Sequence, residues 1–249
     1  MFTIATSPKP AAQALEQDGI SLLQPDQLLQ TLGLSGPSWP ANWATAAQSW
    51  NRLPPDAHLK DGGRYRKRRH SCYVQTLDSG QLEQVPHRAH WQPVDYNALH
   101  GGFERWFDPL EPAVGASPAL TGLIRSLGEL FAQVKPAAQW FIEAHQFRID
   151  TAGGVGRPTP EGAHRDGVDF VVVMLVGRQG VKGGETRVFD AFGPHGVRFV
   201  MEQALTTLLL DDARVIHETT PILPLHPAGD GWRDTLVLTY RAGGFQAPQ

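Results

Sequence analysis

Cysteine is almost absent from the sequence, which has only Cys72 among its 249 residues. An intramolecular disulfide is therefore impossible, and a zinc site with several thiolate ligands is excluded. The sequence also lacks any run that approaches the roughly 18 uncharged apolar residues of a membrane span. Its first residues, MFTIATSPKPAAQ, show no basic stretch followed by a long apolar one, so we expect no export signal. These absences favour a cytoplasmic protein without a membrane segment.

An excess of positive charge is missing as well. The formal net charge is −3 and the isoelectric point is about 6.4, which gives no general attraction to nucleic acid or to an anionic membrane. The run RYRKRRH at residues 64–70 is the exception. Such a run could contact phosphate or another anionic ligand, although a solvated basic edge is the more common arrangement. We therefore expect no nucleic-acid partner.

The hydrophobic pattern indicates helices first and strands later. The length fits one large domain, and a composition of 41% hydrophobic and 19% charged residues is typical of a globular protein. Apolar residues recur at helical spacing in PDQLLQTLGL (residues 25–34) and PANWATAAQSWNRLP (residues 40–54), so we expect residues 1–60 to form a helical N-terminal extension. The segment SPALTGLIRSLGELFAQVK (residues 117–135) predicts a longer amphipathic helix.

Most of the remaining segments resemble short strands separated by Gly and Pro turns. Strand pairing is expected to begin near residue 64, and residues 71–87 are typical of two strands around a turn. The segment QALTTLLLDD (residues 203–212) fits a short helix or an apolar loop. Many short strands after helices predict a mainly β fold with flanking helices, a jelly roll or double-stranded β-helix. Residues 61–249 would be its core, within a single domain 1–249. The later predicted strands are WFIEAHQFRID, VDFVVVMLV, GETRVFD, VRFVME, ARVIHETTPIL and DTLVLTYRA.

A histidine and an aspartate stand two residues apart just before one of these strands. On an extended chain the side chains of His164 and Asp166 leave the same face and can reach one ion together. His217, near the end of another predicted strand, is the candidate third ligand. Two imidazoles and one carboxylate leave several positions of a metal open, as Fe(II) oxygenases require, whereas zinc sites are more often closed. Each histidine taken alone is more often structural.

Two arginines flank the last strong strand, in GWRDTLVLTYRAGG. Arg233 begins the strand and Arg241 ends it. Arginine pairs bidentately with carboxylate, so either residue could hold the distal carboxylate of an anionic co-substrate whose other end chelates the metal. We prefer Arg233, because only one of the two is expected to point into the site. An exposed arginine at the end of a strand is the alternative.

Four motifs in order, HRDG, GGETRVFD, ARVIHETTPI and RDTLVLTY, resemble the 2-oxoglutarate and Fe(II)-dependent dioxygenases. The resemblance is to the bacterial group that includes an L-isoleucine dioxygenase and biofilm-associated homologues, and it covers roughly residues 60–245. It implies a jelly roll with iron at one open end. His164, Asp166 and His217 would be the iron ligands, and Arg233 would bind 2-oxoglutarate.

The activity that this resemblance implies uses Fe(II), 2-oxoglutarate and O2, releases succinate and CO2, and hydroxylates a free aliphatic L-amino acid. Gln146 and Arg148 in HQFRID resemble residues that face the family's pocket. An amino acid needs an anion for its ammonium group and a cation for its carboxylate, for which Glu161 and either Arg69 or Arg148 are the candidates, although each could equally be part of a structural salt bridge. A homodimer is possible.

Three alternatives are compatible with the sequence. A cupin-type metalloprotein that does not use 2-oxoglutarate would have no need of Arg233. A sensor or binding protein would keep the fold without turnover, although an intact set of three ligands and an anchor argues against it. A dioxygenase could instead act on a peptidyl or carrier-bound amino acid, with the basic residues 64–69 binding the phosphate of the carrier.

Overall fold

The computed structural model describes residues 9–97, 99–226 and 229–248. The helices are α1 Ala11–Asp18, α2 Pro25–Thr31, α3 Ser38–Ala47, α4 Pro112–Gly115 and α5 Pro118–Val134, with a 3-10 helix at Gln48–Arg52. The strands are β1 Ile20–Leu23, β2 Arg66–Thr76, β3 Gln81–Gln84, β4 Gln139–Asp150, β5 Phe170–Gln179, β6 Val181–Gly183, β7 Glu185–Asp190, β8 Gly196–Val200, β9 Thr207–Asp211, β10 Val215–Thr219, β11 Ile222–Pro224 and β12 Trp232–Arg241.

The strands form a large sheet and two smaller ones. The large sheet has the order β1-β9-β5-β12-β4-β2-β3, the second sheet has the order β10-β7-β8, and β11 pairs with β6. Apolar side chains of the two larger sheets meet in a shared cluster that includes Val171, Leu175, Val188, Leu208 and Val215. This arrangement confirms the prediction of a mainly β jelly roll with flanking helices.

The helices cover the other face of the large sheet. In α5 the side chains of Leu123, Leu127 and Phe131 are buried against the sheet. The indole of Trp140 donates to the carbonyl of Gly128 at 2.9 Å. A Cβ at Gly128 would lie 2.0 Å from Oε1 of Gln75, so a larger residue there would have to displace this buried side chain from the boundary between helix and sheet.

The 3-10 helix after α3 braces the same sheet from the helical side. The indole Nε1 of Trp50 donates to the carbonyl oxygens of Phe147 and Thr235, both at 3.2 Å. Gln146 donates to Oγ of Ser49 at 2.7 Å. The N-terminal segment is therefore fastened to the middle of β4 and β12.

Two predictions about the strands were wrong. Residues 1–60 contain β1 in addition to helices, and β1 pairs with β9 at the edge of the large sheet; strand pairing thus begins well before residue 64. QALTTLLLDD contains the strand β9 rather than a helix or loop. Leu208, Leu209 and Leu210 are all fully buried. A strand buried on both faces has a continuous apolar run, which periodicity cannot distinguish from a helix.

The basic run at residues 64–70 is not a solvated edge. Strand β2 begins at Arg66, and alternation sends Arg66 and Arg68 to the buried face and Lys67 and Arg69 to the outer one. Two of the five positive charges that the run was expected to expose are therefore inside the protein.

Phe131 tests the packing of α5. Its ring stacks on Phe170 with centroids 4.4 Å apart and contacts Tyr240. We expect Phe131→Ala to lower the free energy of unfolding by about 3–5 kcal/mol, as measured by chemical denaturation. Exposed Glu129 on the same helix provides the control, because Glu129→Ala should change the free energy of unfolding by less than about 0.5 kcal/mol. Equal effects of the two substitutions would contradict this description of the core.

Candidate metal centre and ligand cavity

His164, Asp166 and His217 meet at one end of the jelly roll. Backbone hydrogen bonds in both directions, 3.0 and 2.9 Å long, pair His164 with His217 on β10. Nε2 of His164 lies 3.9 Å from Oδ1 of Asp166, and Nε2 of His217 lies 3.7 Å from its Oδ2. One ligand atom from each residue falls within 4.8 Å of the other two. The three residues can therefore hold a single ion.

The neighbours of the triad prepare it for a metal. Nδ1 of His164 lies 2.9 Å from the carbonyl oxygen of Gly162, which can only accept, so Nδ1 carries a proton and Nε2 is the nitrogen that would bind a metal. Burial, and after it the neighbouring His164, lowers the pKa of His217 to about 3. His217 is consequently a neutral imidazole at physiological pH, as metal binding requires.

The carboxylate of Asp212 holds the segment that contains Asp166. It accepts hydrogen bonds from the backbone N–H groups of Asp166, Gly167 and Val168 at 3.0, 2.8 and 3.1 Å. The side chain of Asp166 accepts from Nε2 of Gln92 at 3.0 Å. Burial raises the pKa of Asp166, and a bound cation would favour its ionised form.

A cavity of about 130 Å³ opens beside the triad. Phe147, Ile149, Val173 and Val237 supply apolar walls. Arg233 is 3% exposed at this cavity, and its Nε and Nη2 have no hydrogen-bond partner within the described ranges. Burial, and secondarily Arg178, lowers the pKa of Arg233 to about 10, which still leaves it a cation.

Of the other predicted site residues, Glu161 lines this cavity and Arg241 does not. Oε1 of Glu161 lies 3.8 Å from Nε2 of His164. Arg241 borders a smaller pocket near Phe245 and donates to the carbonyl of Gly244 at 2.8 Å. The structure thus brings Arg233, and not Arg241, into the cavity with the triad.

Gln146 and Arg148 point away from the cavity, contrary to the prediction. Gln146 faces the helical layer, and Arg148 binds Asp234 at 2.6 Å and lies over the ring of Trp232. Side chains along β4 alternate between two faces, and Gln146 and Arg148 lie on the face opposite to the cavity. The polar residues bind partners under the helices, while the cavity is lined by His145, Phe147 and Ile149.

Arg69 also lies outside the cavity. It is on the outer face of β2, where it donates to the carbonyl of Pro109 at 2.9 Å and lies 3.7 Å from Asp108. Besides Arg233, the cations that line the cavity are Arg66, Arg68 and Arg105, none of which was singled out. The alternation of basic residues in the run 64–70 could have indicated the first two, because they belong to one face of a strand.

A second group of potential ligands lies beside the cavity. His70, His90, Glu143 and His145 are buried, and one ligand atom from each lies within 4.8 Å of the others. Oε2 of Glu143 is 2.5 Å from Nδ1 of His90 and 3.4 Å from Nε2 of both His70 and His145. Burial opposes ionisation of Glu143, but the imidazoles outweigh it and hold its pKa well below the usual range.

The fold and the triad define the class of protein, a jelly-roll oxygenase that depends on a non-haem metal. A family model described as 2OG-Fe dioxygenase matches residues 47–239. The chain therefore belongs to the 2OG-Fe dioxygenase family and is an Fe(II)- and 2-oxoglutarate-dependent dioxygenase. Membership favours this prediction over the cupin-type and binding-protein alternatives. None of the described helices has the length and apolar character of a membrane span.

Several solved structures are similar to this chain. A bsmA homologue from Methylobium petroleophilum is 59% identical, covers 96% of this chain and 94% of its own, and gives a TM-score of 0.90. IDO from Bacillus thuringiensis is 18% identical, with 98% and 99% covered and a TM-score of 0.76. The Fe(II)/α-ketoglutarate-dependent dioxygenase TqaL is 18% identical, with 92% and 85% covered and a TM-score of 0.67; these last two show a similar fold. A search of curated protein sequences gives no match.

Removal of a triad side chain tests the metal centre. We expect Asp166→Ala and His217→Ala to abolish stoichiometric metal binding, because two remaining ligands hold an ion poorly. Anaerobic titration with Fe(II), followed by metal analysis of the desalted protein, measures the effect. His195, which is exposed and distant in sequence from the triad, provides the control His195→Ala. Full metal content in both triad variants would show that the centre lies elsewhere.

Proposed function

We propose that this dioxygenase hydroxylates a free amino acid, with His164, Asp166 and His217 as the iron ligands and Arg233 as the anchor of 2-oxoglutarate. The observation that carries the choice of substrate is the presence of unpartnered charged atoms of both signs at one cavity. Oε2 of Glu161 is buried without a hydrogen-bond partner in the part of the chain described, and so are nitrogen atoms of the four arginines that line the cavity, Arg66, Arg68, Arg105 and Arg233.

The residues present fit the co-substrate. The two unpartnered nitrogens of Arg233 can donate to a carboxylate in the bidentate manner that a guanidinium favours. The cavity also includes Thr219 and Thr235, whose hydroxyl groups are further donors. When bound, iron would activate O2 with 2-oxoglutarate as the co-substrate: one oxygen atom enters succinate as CO2 is released, and the other is inserted into a C–H bond of the substrate. The protein's part is to orient the substrate and to exclude water with its apolar walls.

The charges around the substrate part of the cavity favour a zwitterion. Its cations are Arg66, Arg68 and Arg105. Their counter-charges are Glu161, Glu143 and Asp56, the last of which binds Nε of Arg66 at 2.6 Å. Because buried charges are costly unless they are balanced, a ligand with one positive and one negative group is accommodated best. The ammonium group of an amino acid would bind Glu161, and its carboxylate would bind the arginines.

A carrier-bound substrate has less support. That alternative depended on the basic run binding a phosphate at the surface, but Arg66 and Arg68 are turned inward. On the outer face Lys67 lies 3.3 Å from Asp150, and Arg69 is near Asp108. The sequence resemblance to the amino-acid hydroxylase group also favours a free substrate, and the apolar walls suit an aliphatic side chain.

The substrate proposal is tested by an anaerobic complex of enzyme, Fe(II) and 2-oxoglutarate, to which O2 is added together with each of the twenty common amino acids in turn. We expect at least one aliphatic amino acid to stimulate succinate formation and to yield a product heavier by one oxygen atom, measured by mass spectrometry. Turnover of 2-oxoglutarate that no amino acid stimulates, combined with activity on a peptidyl or carrier-bound one, would contradict a free substrate.

Arg233→Ala tests the co-substrate anchor. We expect the affinity for 2-oxoglutarate to fall by about 1.5–3 kcal/mol, the range for a lost charged hydrogen-bonding partner. The dissociation constant can be followed through the visible charge-transfer band of the anaerobic complex. Arg241→Ala is the matched control on the same strand and should leave this affinity nearly unchanged. The reverse result would place the anchor at Arg241.

A further inference from the structure

Two buried arginines at the cavity are held by neutral groups instead of carboxylates. Nη2 of Arg68 lies 2.7 Å from Nδ1 of His145, and Nη2 of Arg105 donates to Oε1 of Gln92 at 2.9 Å. The closest approach of Arg68 to a carboxylate oxygen is 4.0 Å, from Nη1 to Asp56. Arg105 forms no ion pair within the residues that the structure describes.

We propose that Arg68 and Arg105 together bind the carboxylate of the substrate, with His145 and Gln92 as the positioning residues that hold the two guanidinium groups. The inference rests on the proposed amino-acid substrate and assigns its carboxylate to two of the three arginines. Nε of each is buried without a hydrogen-bond partner in the described ranges, and both residues line the cavity. Arg66 is less suited, because its Nε already binds Asp56 at 2.6 Å.

The contact between Arg68 and His145 fixes the proton of the imidazole. A guanidinium group only donates, so Nδ1 of His145 must accept, and the ring proton lies on Nε2. Nε2 faces Oε2 of Glu143 at 3.4 Å. The neutral imidazole of His145 therefore lies between the Glu143 carboxylate and Arg68 and contacts both. This leaves Arg68 oriented but without a direct carboxylate partner of its own.

The same proton argues against a second metal ion in the group of His70, His90, Glu143 and His145. A metal ligand must present a lone pair, but Nε2 of His145, the atom that faces the group, carries a hydrogen. In the other tautomer the proton would be on Nδ1, and the N–H groups of His145 and Arg68 would point at each other across 2.7 Å. The group is therefore a hydrogen-bond network centred on the Glu143 carboxylate.

Gln92 connects the second arginine to the metal centre. Its Oε1 accepts from Arg105 and from Nδ2 of Asn97, at 2.9 and 3.1 Å, and its Nε2 donates to Oδ1 of Asp166 at 3.0 Å. The orientation of the amide is fixed, because arginine only donates and an ionised carboxylate only accepts. The substrate carboxylate would thus be bound one side chain away from a metal ligand.

Two aromatic rings restrict the orientation of the Arg68 guanidinium group. Its guanidinium carbon lies 3.7 Å from the ring centroid of Phe107 and 4.3 Å from that of Phe147. A planar cation between two rings loses little further freedom when it binds a ligand. Lysine keeps the charge but has neither the plane nor the fork of donors, so Arg68→Lys is an informative substitution.

The test combines variants with a change in the ligand. Binding of the best amino acid and of the corresponding amino-acid amide, which lacks the negative charge, is measured by calorimetry on the anaerobic complex of enzyme, metal and 2-oxoglutarate. We expect Arg68→Lys and Arg105→Lys each to weaken the acid by about 10- to 100-fold and the amide by less than about twofold. The dissociation constant of 2-oxoglutarate should not change. Arg69→Lys, on the opposite face of the same strand, is the control.

A merely structural role would weaken acid and amide equally, and that result, or unchanged binding of the acid in both variants, would overturn the inference. The positioning role is tested at His145. His145→Asn keeps an acceptor near the position of Nδ1 and should retain preference for the acid, whereas His145→Leu should lose it; equal behaviour would overturn that role. Failure of the wild-type complex to bind any amino acid would instead refute the proposed substrate, and the inference with it.

The proton on His145 gives a readout that does not depend on the variants. Nitrogen-15 spectra of histidine-labelled metal-free protein should show His145 as a neutral ring protonated at Nε2, and the metal-loaded protein should contain one ion per chain. A second bound ion that is lost in His70→Ala, or protonation of His145 at Nδ1, would overturn the network on which the position of Arg68 depends.

Discussion

The metal centre depends on a single buried carboxylate, that of Asp212. Three consecutive N–H groups, beginning with that of Asp166, converge on it, and Asp212 itself is fully buried just before β10. Without this acceptor, three donors in a chain segment that belongs to no strand would lose their partner in the protein. These hydrogen bonds hold an irregular segment in place and thereby position Asp166, a candidate metal ligand. They also fix the distance between that ligand and His217, because Asp212 and β10 are nearly adjacent in sequence.

The cavity shows how a protein keeps several buried arginines without neutralising them completely. Of Arg66, Arg68 and Arg105, only Arg66 has a carboxylate within hydrogen-bond distance among the residues that the structure describes. The other two are supported by an imidazole and an amide, each of which is in turn bound to a carboxylate, Glu143 or Asp166. In each of these hydrogen-bond chains the carboxylate is separated from the arginine by one neutral side chain. The guanidinium groups remain stable inside the protein and still attract an anion, which a direct salt bridge would prevent.

The sequence was sufficient for the parts of the structure that follow from local pattern. The amphipathic helix α5, the strands around Asp78 and the late series of strands follow from periodicity, and the spacing of His164 and Asp166 indicated a shared ion. Periodicity could not identify β9, because three adjacent buried leucines have no polar face. It also could not assign the two faces of β4. Which face is wet depends on what covers it, and the partners of Gln146 and Arg148 are distant in sequence. Arg105 lies in a long connection without periodicity, so only the folded chain brings it to Arg68.

The hydrogen bonds of Trp50 have a consequence for the role of the N-terminal segment. Its indole donates to the backbone of Phe147 and Thr235, two residues that line the cavity on the other side of the sheet. The helical layer on one face of the sheet therefore supports the backbone of residues that line the cavity on the other face. A substitution of Trp50 would remove both of these contacts, so the backbone positions of two cavity-lining residues depend on a side chain from the opposite face of the sheet.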